Sequence, residues 1–237
     1  IMKDIVASSC VGIGQLAIGH PFDTAKILIQ NKKPWYSLPV KHYYRGWRFP
    51  LMYSSIFNVI CFTTHERTYK YTNNHFASGF LGGLAISPFA YVLESFKIKY
   101  QVNNKSTNNQ QIRLNSKIIQ QTIQQIKTIR GMPSLVTRES LAMGIYFETF
   151  HKLKNHIDST LICGGLTGVV SWTLTYPIDV IMSRQVAQNI TIKQAIQQKN
   201  LWRGFGVCIM RAMLVNAVNF KIYETVMNSK HLSFLDE

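Results

Sequence analysis

The chain has 237 residues, with 26 Lys+Arg against 11 Asp+Glu, and a mean hydropathy of 0.00. Overall composition therefore fits one or two soluble domains, and the charge alone fits a basic nucleic-acid binder. The distribution of charge argues against both: no acid occurs in 24–65, 95–138 or 180–223, yet these windows hold 20 of the 26 basic residues. In chain order, six segments reach the roughly 20 residues that cross a hydrocarbon core: 4–31, 49–70, 76–102, 133–153, 159–187 and 206–228. Backbone groups in lipid must satisfy one another, so six helices in a closed bundle are expected. Small residues at Ser8, Gly12, Gly79, Gly83, Gly164 and Gly168 recur four apart at matching places. They are expected to let the first, third and fifth segments approach their neighbours closely. Val102 to Asn115 is polar and reads as a loop. Ser116 to Arg130 places Ile118, Ile119, Ile123, Ile126 and Ile129 near helical period, as a surface helix would, and Thr191 to Leu201 is its shorter counterpart.

The four cysteines, Cys10, Cys61, Cys163 and Cys208, lie inside apolar segments without a CxxC pair, which argues against a disulfide or zinc framework. There is no Gly-rich phosphate loop and no His/Cys metal spacing, so neither an enzyme, a cofactor nor a metal is expected. The chain opens on Ile1-Met2-Lys3-Asp4 and an apolar run, with no Arg/Ser-rich presequence, and any organelle address is expected to be internal.

A pattern returns three times. Gly12 precedes Pro21 by nine residues, followed by Asp23, Lys26 and Gln30. Gly168 precedes Pro177 by nine, followed by Asp179 and Arg184. Gly83 precedes Val92 by nine, followed by Glu94, Lys97, Lys99 and Gln101. Downstream of each copy stands an Arg-Gly box: Tyr44-Arg45-Gly46, Ile129-Arg130-Gly131 and Trp202-Arg203-Gly204. Gly46 to Val92 and Gly131 to Pro177 are both 46 residues, so length varies only between motif and box. Pro21 and Pro177 sit late in long helices, where a missing N–H kinks the chain. Val92 lacks that mechanism, and Pro88, one turn earlier, is the candidate kink in the third segment.

Seven residues beyond the box glycines stand Tyr53, Arg138 with Glu139, and Arg211. Equal offsets put these groups at one depth around one axis, where an alternating-access bundle holds its solute. Two guanidiniums outnumber one carboxylate, so the solute is expected to be anionic. Tyr53 either stacks on a base or packs, and Glu139 either accepts an amine or neutralises Arg138.

The Pro-x-Asp/Glu-x-x-Lys/Arg signature in three copies, each with an Arg-Gly box, resembles the mitochondrial carrier family over essentially the whole chain. The resemblance implies an all-α membrane protein: six transmembrane helices in three tandem two-helix repeats, 1–72, 73–157 and 158–237, with pseudo-threefold symmetry and short matrix-side surface helices. It implies a monomeric transporter of the mitochondrial inner membrane, without cofactor, with lipid, cardiolipin included, as partner, and no nucleic acid. It further implies a matrix gate in which Asp23 meets Lys97 and Asp179 meets Lys26, Glu94 faces Met182, and Gln30 and Gln101 brace, with Val186 in the third bracing position. An opposite gate twenty residues beyond the box glycines would use Glu66 with Lys154 and Glu224 with Tyr69, while His151 faces Met227. A carrier exchanging small anionic metabolites is the leading expectation, nucleotides or deoxynucleotides first. An amino-acid or carnitine-type carrier and a transport-dead membrane adaptor stand as alternatives, and a soluble basic nucleic-acid binder as a third rival.

Overall fold

The computed structural model describes the backbone of residues 2–36, 38–102 and 111–227. Its described residues form helices and connecting turns: α1 Met2–Gln30, α2 Val40–Tyr43, α3 Arg48–Thr72, α4 His75–Val102, α5 Gln111–Lys127, α6 Met132–Lys154, α7 Thr160–Gln188, α8 Ile192–Gln197 and α9 Phe205–Met227. The six long helices fall within about two residues of the apolar segments. Helix α5 starts inside the stretch expected to be loop, and residues 103–110 of that stretch lie outside the described residues. Ile118 of α5 is buried and Ile126 packs on the core, while Ile119 and Ile123 are exposed. Thr191 opens α8 with a capping box, its hydroxyl accepting from Gln194 N–H while the Gln194 side chain accepts from Thr191 N–H. Among the described helices one, α4, is long and apolar enough to cross a membrane by composition. The charged residues that line a common cavity come from α1, α4, α6, α7 and α9.

The long helices pack in chain order, α3 on α4, α4 on α6 and α6 on α7, and α9 returns to α1. Helices α1, α4 and α7 also touch one another, and their C-terminal halves supply most of a buried cluster of Ile27, Tyr91, Ile98, Val102, Leu135, Met182 and Val186. Gly79 and Gly83 explain the tight α4–α6 contact. A Cβ at Gly79 would fall 2.5 Å from the Met143 carbonyl, and one at Gly83 would collide with the Glu139 carbonyl. The matching Gly168 has nothing within 4 Å, so that glycine does not serve close approach, contrary to the expectation from the pattern. The side chains at positions 8 and 12 lie outside the described ones. Gly83→Ala is expected to cost about 1–3 kcal/mol through overpacking and to lower Tm by roughly 2–4 °C per kcal/mol, whereas Gly168→Ala leaves Tm unchanged; thermal unfolding in detergent separates the two.

The proline sites are built into the repeat. Pro21, Pro88 and Pro177 all lie inside helices. Pro21 deprives the Ala17 carbonyl of its helical donor, and the Tyr44 hydroxyl of the Arg-Gly box donates to that oxygen at 2.9 Å. The residue just before each signature position reaches the arginine carbonyl of its own repeat's box. His20 Nε2 lies 3.0 Å from Arg45 O, and the hydroxyls of Tyr91 and Tyr176 donate to Arg130 O at 2.7 Å and Arg203 O at 3.1 Å. The box glycine turns the chain at that point with φ of 77°, 90° and 87° at Gly46, Gly131 and Gly204, a region that a Cβ disfavours. The same hydrogen bond thus fixes each long helix to the turn that launches the next.

A second threefold set ties the ends of the three signature helices together. Lys33 beyond α1 donates to the Val102 carbonyl of α4 at 2.8 Å, Lys99 of α4 to Ala187 O of α7 at 3.4 Å, and Arg184 of α7 to Gln30 O of α1 at 3.1 Å. Each cation meets the negative end of the next helix, where last-turn carbonyls lack intrahelical partners.

Candidate functional site

A cavity of about 390 Å³ lies between the long helices, lined among others by Asp23, Lys26, Tyr53, Glu94, Lys97, Arg138, Trp172, Asp179 and Arg211. Residues singled out as two separate sets, one at the midplane and one in the matrix gate, therefore share one space. The signature residues reach it because they follow the proline late in α1, α4 and α7. Tyr53, Arg138 and Arg211 reach it from the first two turns of α3, α6 and α9.

Two ion pairs join helices directly. Lys97 Nζ lies 3.0 Å from Asp23 Oδ2, and Lys26 Nζ lies 2.8 Å from Asp179 Oδ2. Gln30 Nε2 donates to Asp179 Oδ2 at 2.8 Å, so this amide braces the second pair. Gln101 does not brace the first. Its side-chain amide donates instead to the Thr24 hydroxyl at 2.9 Å, and its main-chain carbonyl lies 3.1 Å from His42 Nε2. Val186 is fully buried in the apolar cluster. The Lys26 ammonium also lies 4.2 Å from the centre of the Trp172 ring and 5.3 Å from that of Tyr176, so it rests on an aromatic floor. Trp172 stood out in no motif; its only sequence signal is its place five residues before Pro177.

Glu94 does not face an apolar gap. Met182 is 1% exposed and packs into the core, while Glu94 Oε1 takes Arg138 Nη2 at 2.9 Å. The same guanidinium holds Asp179 Oδ1 at 2.8 Å through Nη1, and its Nη2 also pairs with Glu139. Tyr53 packs beside the apolar cluster and tilts against Phe57, with its hydroxyl beside Glu139. Arg211 Nε is 2.6 Å from Asp23 Oδ1, an ion pair whose N–H is not aligned for a hydrogen bond.

These contacts overturn the count in which two guanidiniums outnumber one carboxylate. Around Arg138 and Lys26 stand three carboxylates, Glu94, Glu139 and Asp179; around Asp23 stand two cations, Lys97 and Arg211. Glu139 pairs with Arg138 without lining the cavity; with it the charges balance, four cations against four carboxylates, and they divide into an acidic pole and a basic pole. Sequence offsets gave depth in the bundle, but they did not show that the signature acids turn toward Arg138.

At the opposite end the described side chains include a set of stacked rings. Glu66 is exposed, and the described contact of the Lys154 ammonium is with the Asp158 carbonyl. Tyr69 stacks on His75 at 4.1 Å, His75 on His151 at 3.9 Å, and His65 on Phe147 at 3.7 Å. The side chains of Glu224 and Met227 lie outside the described ones, so the Glu224–Tyr69 contact is not tested.

Comparison with known proteins agrees with the repeat pattern. The family model for mitochondrial carrier proteins matches residues 156–232. The mitochondrial glycine transporter YMC1 of Saccharomyces cerevisiae is 23% identical over 279 residues, covering 96% of this chain and 91% of its own length. The mitochondrial basic amino acids transporter of Bos taurus is 26% identical, covering 95% of this chain and 91% of its own. The mitochondrial arginine transporter BAC2 of Arabidopsis thaliana is 26% identical, covering 95% and 90%. The signature and box are repeated in register through the chain, and mitochondrial carriers are similar to it along nearly its full length.

Proposed function

We propose that this carrier moves amino acids across the mitochondrial inner membrane by alternating access. In this reading α1, α3, α4, α6, α7 and α9 are the membrane spans of three repeats, 1–72, 73–157 and 158–237, and α2, α5 and α8 lie on the matrix surface. The observation that carries the reading is the division of the cavity into two poles. A zwitterion places its carboxylate against Arg211 and Lys97 and its ammonium against Glu94, which lines the cavity in front of the buried Glu139, and each pole is then neutralised. A nucleotide would bring several negative charges and no cation to a site whose cations are already paired with carboxylates, which removes the reason for preferring it. The volume is at the lower end of the roughly 300–1,000 Å³ of small-molecule sites. The relatives named for glycine, basic amino acids and arginine support the same class. A carnitine-type zwitterion would meet the same two poles. The adaptor alternative loses its main support, since the acid left without a base by Met182 is paired with Arg138.

The ion pairs at the C-terminal ends of α1, α4 and α7 close the matrix side, and midplane charges of this kind are retained in membrane bundles where they serve solute or gate. Arg211→Ala tests the basic pole. Asp23 keeps Lys97, so the bundle retains its pair, while the solute loses its guanidinium. Losing a shielded charge partner costs about 2–4 kcal/mol, so KM for glycine or arginine uptake into proteoliposomes should rise roughly 30-fold or more. An unchanged KM would place the carboxylate elsewhere.

A further inference from the structure

Three of the seven histidines meet at the end of the bundle away from α2, α5 and α8. His65 and Tyr69 stand one turn apart on α3, Phe147 and His151 one turn apart on α6, and His75 opens α4 between them. Their rings form two tiers. Tyr69, His75 and His151 stack in series at 4.1 and 3.9 Å, while His65 lies on Phe147 at 3.7 Å and 5.9 Å from both Tyr69 and His75. None of the five lines the solute cavity. The Nε2 atoms of His65 and His75 are shut off from solvent and have no hydrogen-bond partner among the described residues. A protonated nitrogen at either place has neither water nor acceptor, so the closed stack suits neutral rings.

We propose that His65, His75 and His151 form a proton-operated clasp: while neutral they hold the ends of α3, α4 and α6 together, and once more than one is protonated the three ends part. The charged groups around them leave the buried nitrogens unserved. On α3, Glu66, Arg67 and Lys70 are exposed; on α6, Lys152 and Lys154 are, as are His156 and Asp158 in the turn that follows. Glu66 is the acid that faces His65, and Glu148 of α6 the one that faces His75. Glu148 is already held by Lys152 at 2.9 Å and by the Phe76 N–H. Helices α4 and α7 bring no charge to this end, their first acids being Glu94 and Asp179. His151 is exposed and takes the first proton, and an aromatic face tolerates one cation stacked on it. A second proton has to enter the closed stack beside that cation. Parted rings meet water and titrate near the ordinary imidazole value of about 6.5. The parted form therefore binds more protons, and acid favours it. Since α3 and α6 also carry Tyr53 and Arg138 to the cavity, protons on this face set how firmly two walls of the solute path are held. The clasp is indifferent to the class of solute.

The test needs no solute, so its result stands apart from the amino-acid reading. In detergent, Tm of the wild type should fall by about 5 °C between pH 7.5 and 5.5, as two blocked protonations a unit below the imidazole value require. Amide hydrogen exchange in 66–78 and 147–155, corrected for the intrinsic rate at each pH, should quicken roughly tenfold over the same range. His75→Phe and His151→Phe keep a ring in the stack but cannot take a proton, and each should cut both effects to less than about half. His151→Phe alone carries the test if His75→Phe does not fold, because position 151 is exposed. The buried His20 and His42 are intact in every variant. A Tm loss in His151→Phe equal to that of wild type would assign the acid sensitivity to those residues and overturn the clasp. So would hydrogen exchange in the two segments that does not change with pH.

Discussion

Replacing Arg138 by alanine is expected to abolish transport and to weaken the bundle as well. The guanidinium is 6% exposed and holds Glu94, Glu139 and Asp179, carboxylates from three helices. Without it, Asp179 keeps Lys26 and Gln30, but Glu94 and Glu139 lose their described ion-pair partner and face each other inside the protein. Removing one partner of a buried ion pair costs about 3–5 kcal/mol. At roughly 2–4 °C per kcal/mol for a chain of this size, Tm should fall by about 10 °C. Uptake per reconstituted protein should fall below about one hundredth of wild type, since even ~3 kcal/mol at the cavity corresponds to more than a hundredfold. Arg138→Lys keeps one charge but not the planar fork that reaches several carboxylates at once, and should recover part of the stability and little of the transport. A Tm within 2 °C of wild type would contradict the role assigned to the guanidinium in joining α4, α6 and α7.

The second large effect is expected at Arg184, far from the chemistry of the solute. Its side chain is the largest of the fully buried ones and meets carbonyls rather than a carboxylate: Gln30 at 3.1 Å, Ala195 at 3.1 Å, Lys199 at 2.9 Å and Asn200 at 3.1 Å. One guanidinium therefore caps the end of α1 and the end of α8 together, and joins the third repeat to the first. Arg184→Leu fills much of the volume but leaves these oxygens without their charged donor. At about 1–3 kcal/mol for each oxygen that remains buried, the total reaches about 3–5 kcal/mol even when some find water or another donor. Tm in detergent should fall by about 10 °C, whereas KM of the protein that survives reconstitution at low temperature should stay within twofold of wild type. A raised KM with an unchanged Tm would reassign Arg184 to the solute site.

The six long helices were legible because proline, acid and base recur at one spacing and the apolar segments end within about two residues of the helices. The two direct ion pairs were what the family resemblance implied. The rest depended on where side chains turn. The offset from the box glycine put Arg138 at the right depth but did not reveal that the base missing at Met182 is replaced from α6. The bracing position of Gln101 was visible, yet the hydroxyl of Thr24 is nearer than the Asp23–Lys97 pair and takes its amide. Near the gate expected from Glu66 and Lys154, Lys154 reaches the Asp158 carbonyl beyond its own helix, and aromatic and imidazole rings of α3, α4 and α6 stack on one another, contacts that no charge pattern displays. Two threefold sets went unread although their residues were in register. His20, Tyr91 and Tyr176 precede the signature position in every repeat, but their shared partner is a backbone carbonyl, which no side-chain motif displays. Lys33, Lys99 and Arg184 are likewise paired with helix ends. Charge counting misled most, because it compared side chains at one depth and left out the signature acids one turn away.

The central claim is that a cavity with one acidic and one basic pole selects zwitterions, and uptake by the unaltered protein tests it most directly. Purified carrier in liposomes preloaded with unlabelled solute should take up labelled glycine or arginine well above protein-free liposomes, and labelled ADP no faster than they do. Rapid exchange of ADP with neither amino acid above background would contradict it.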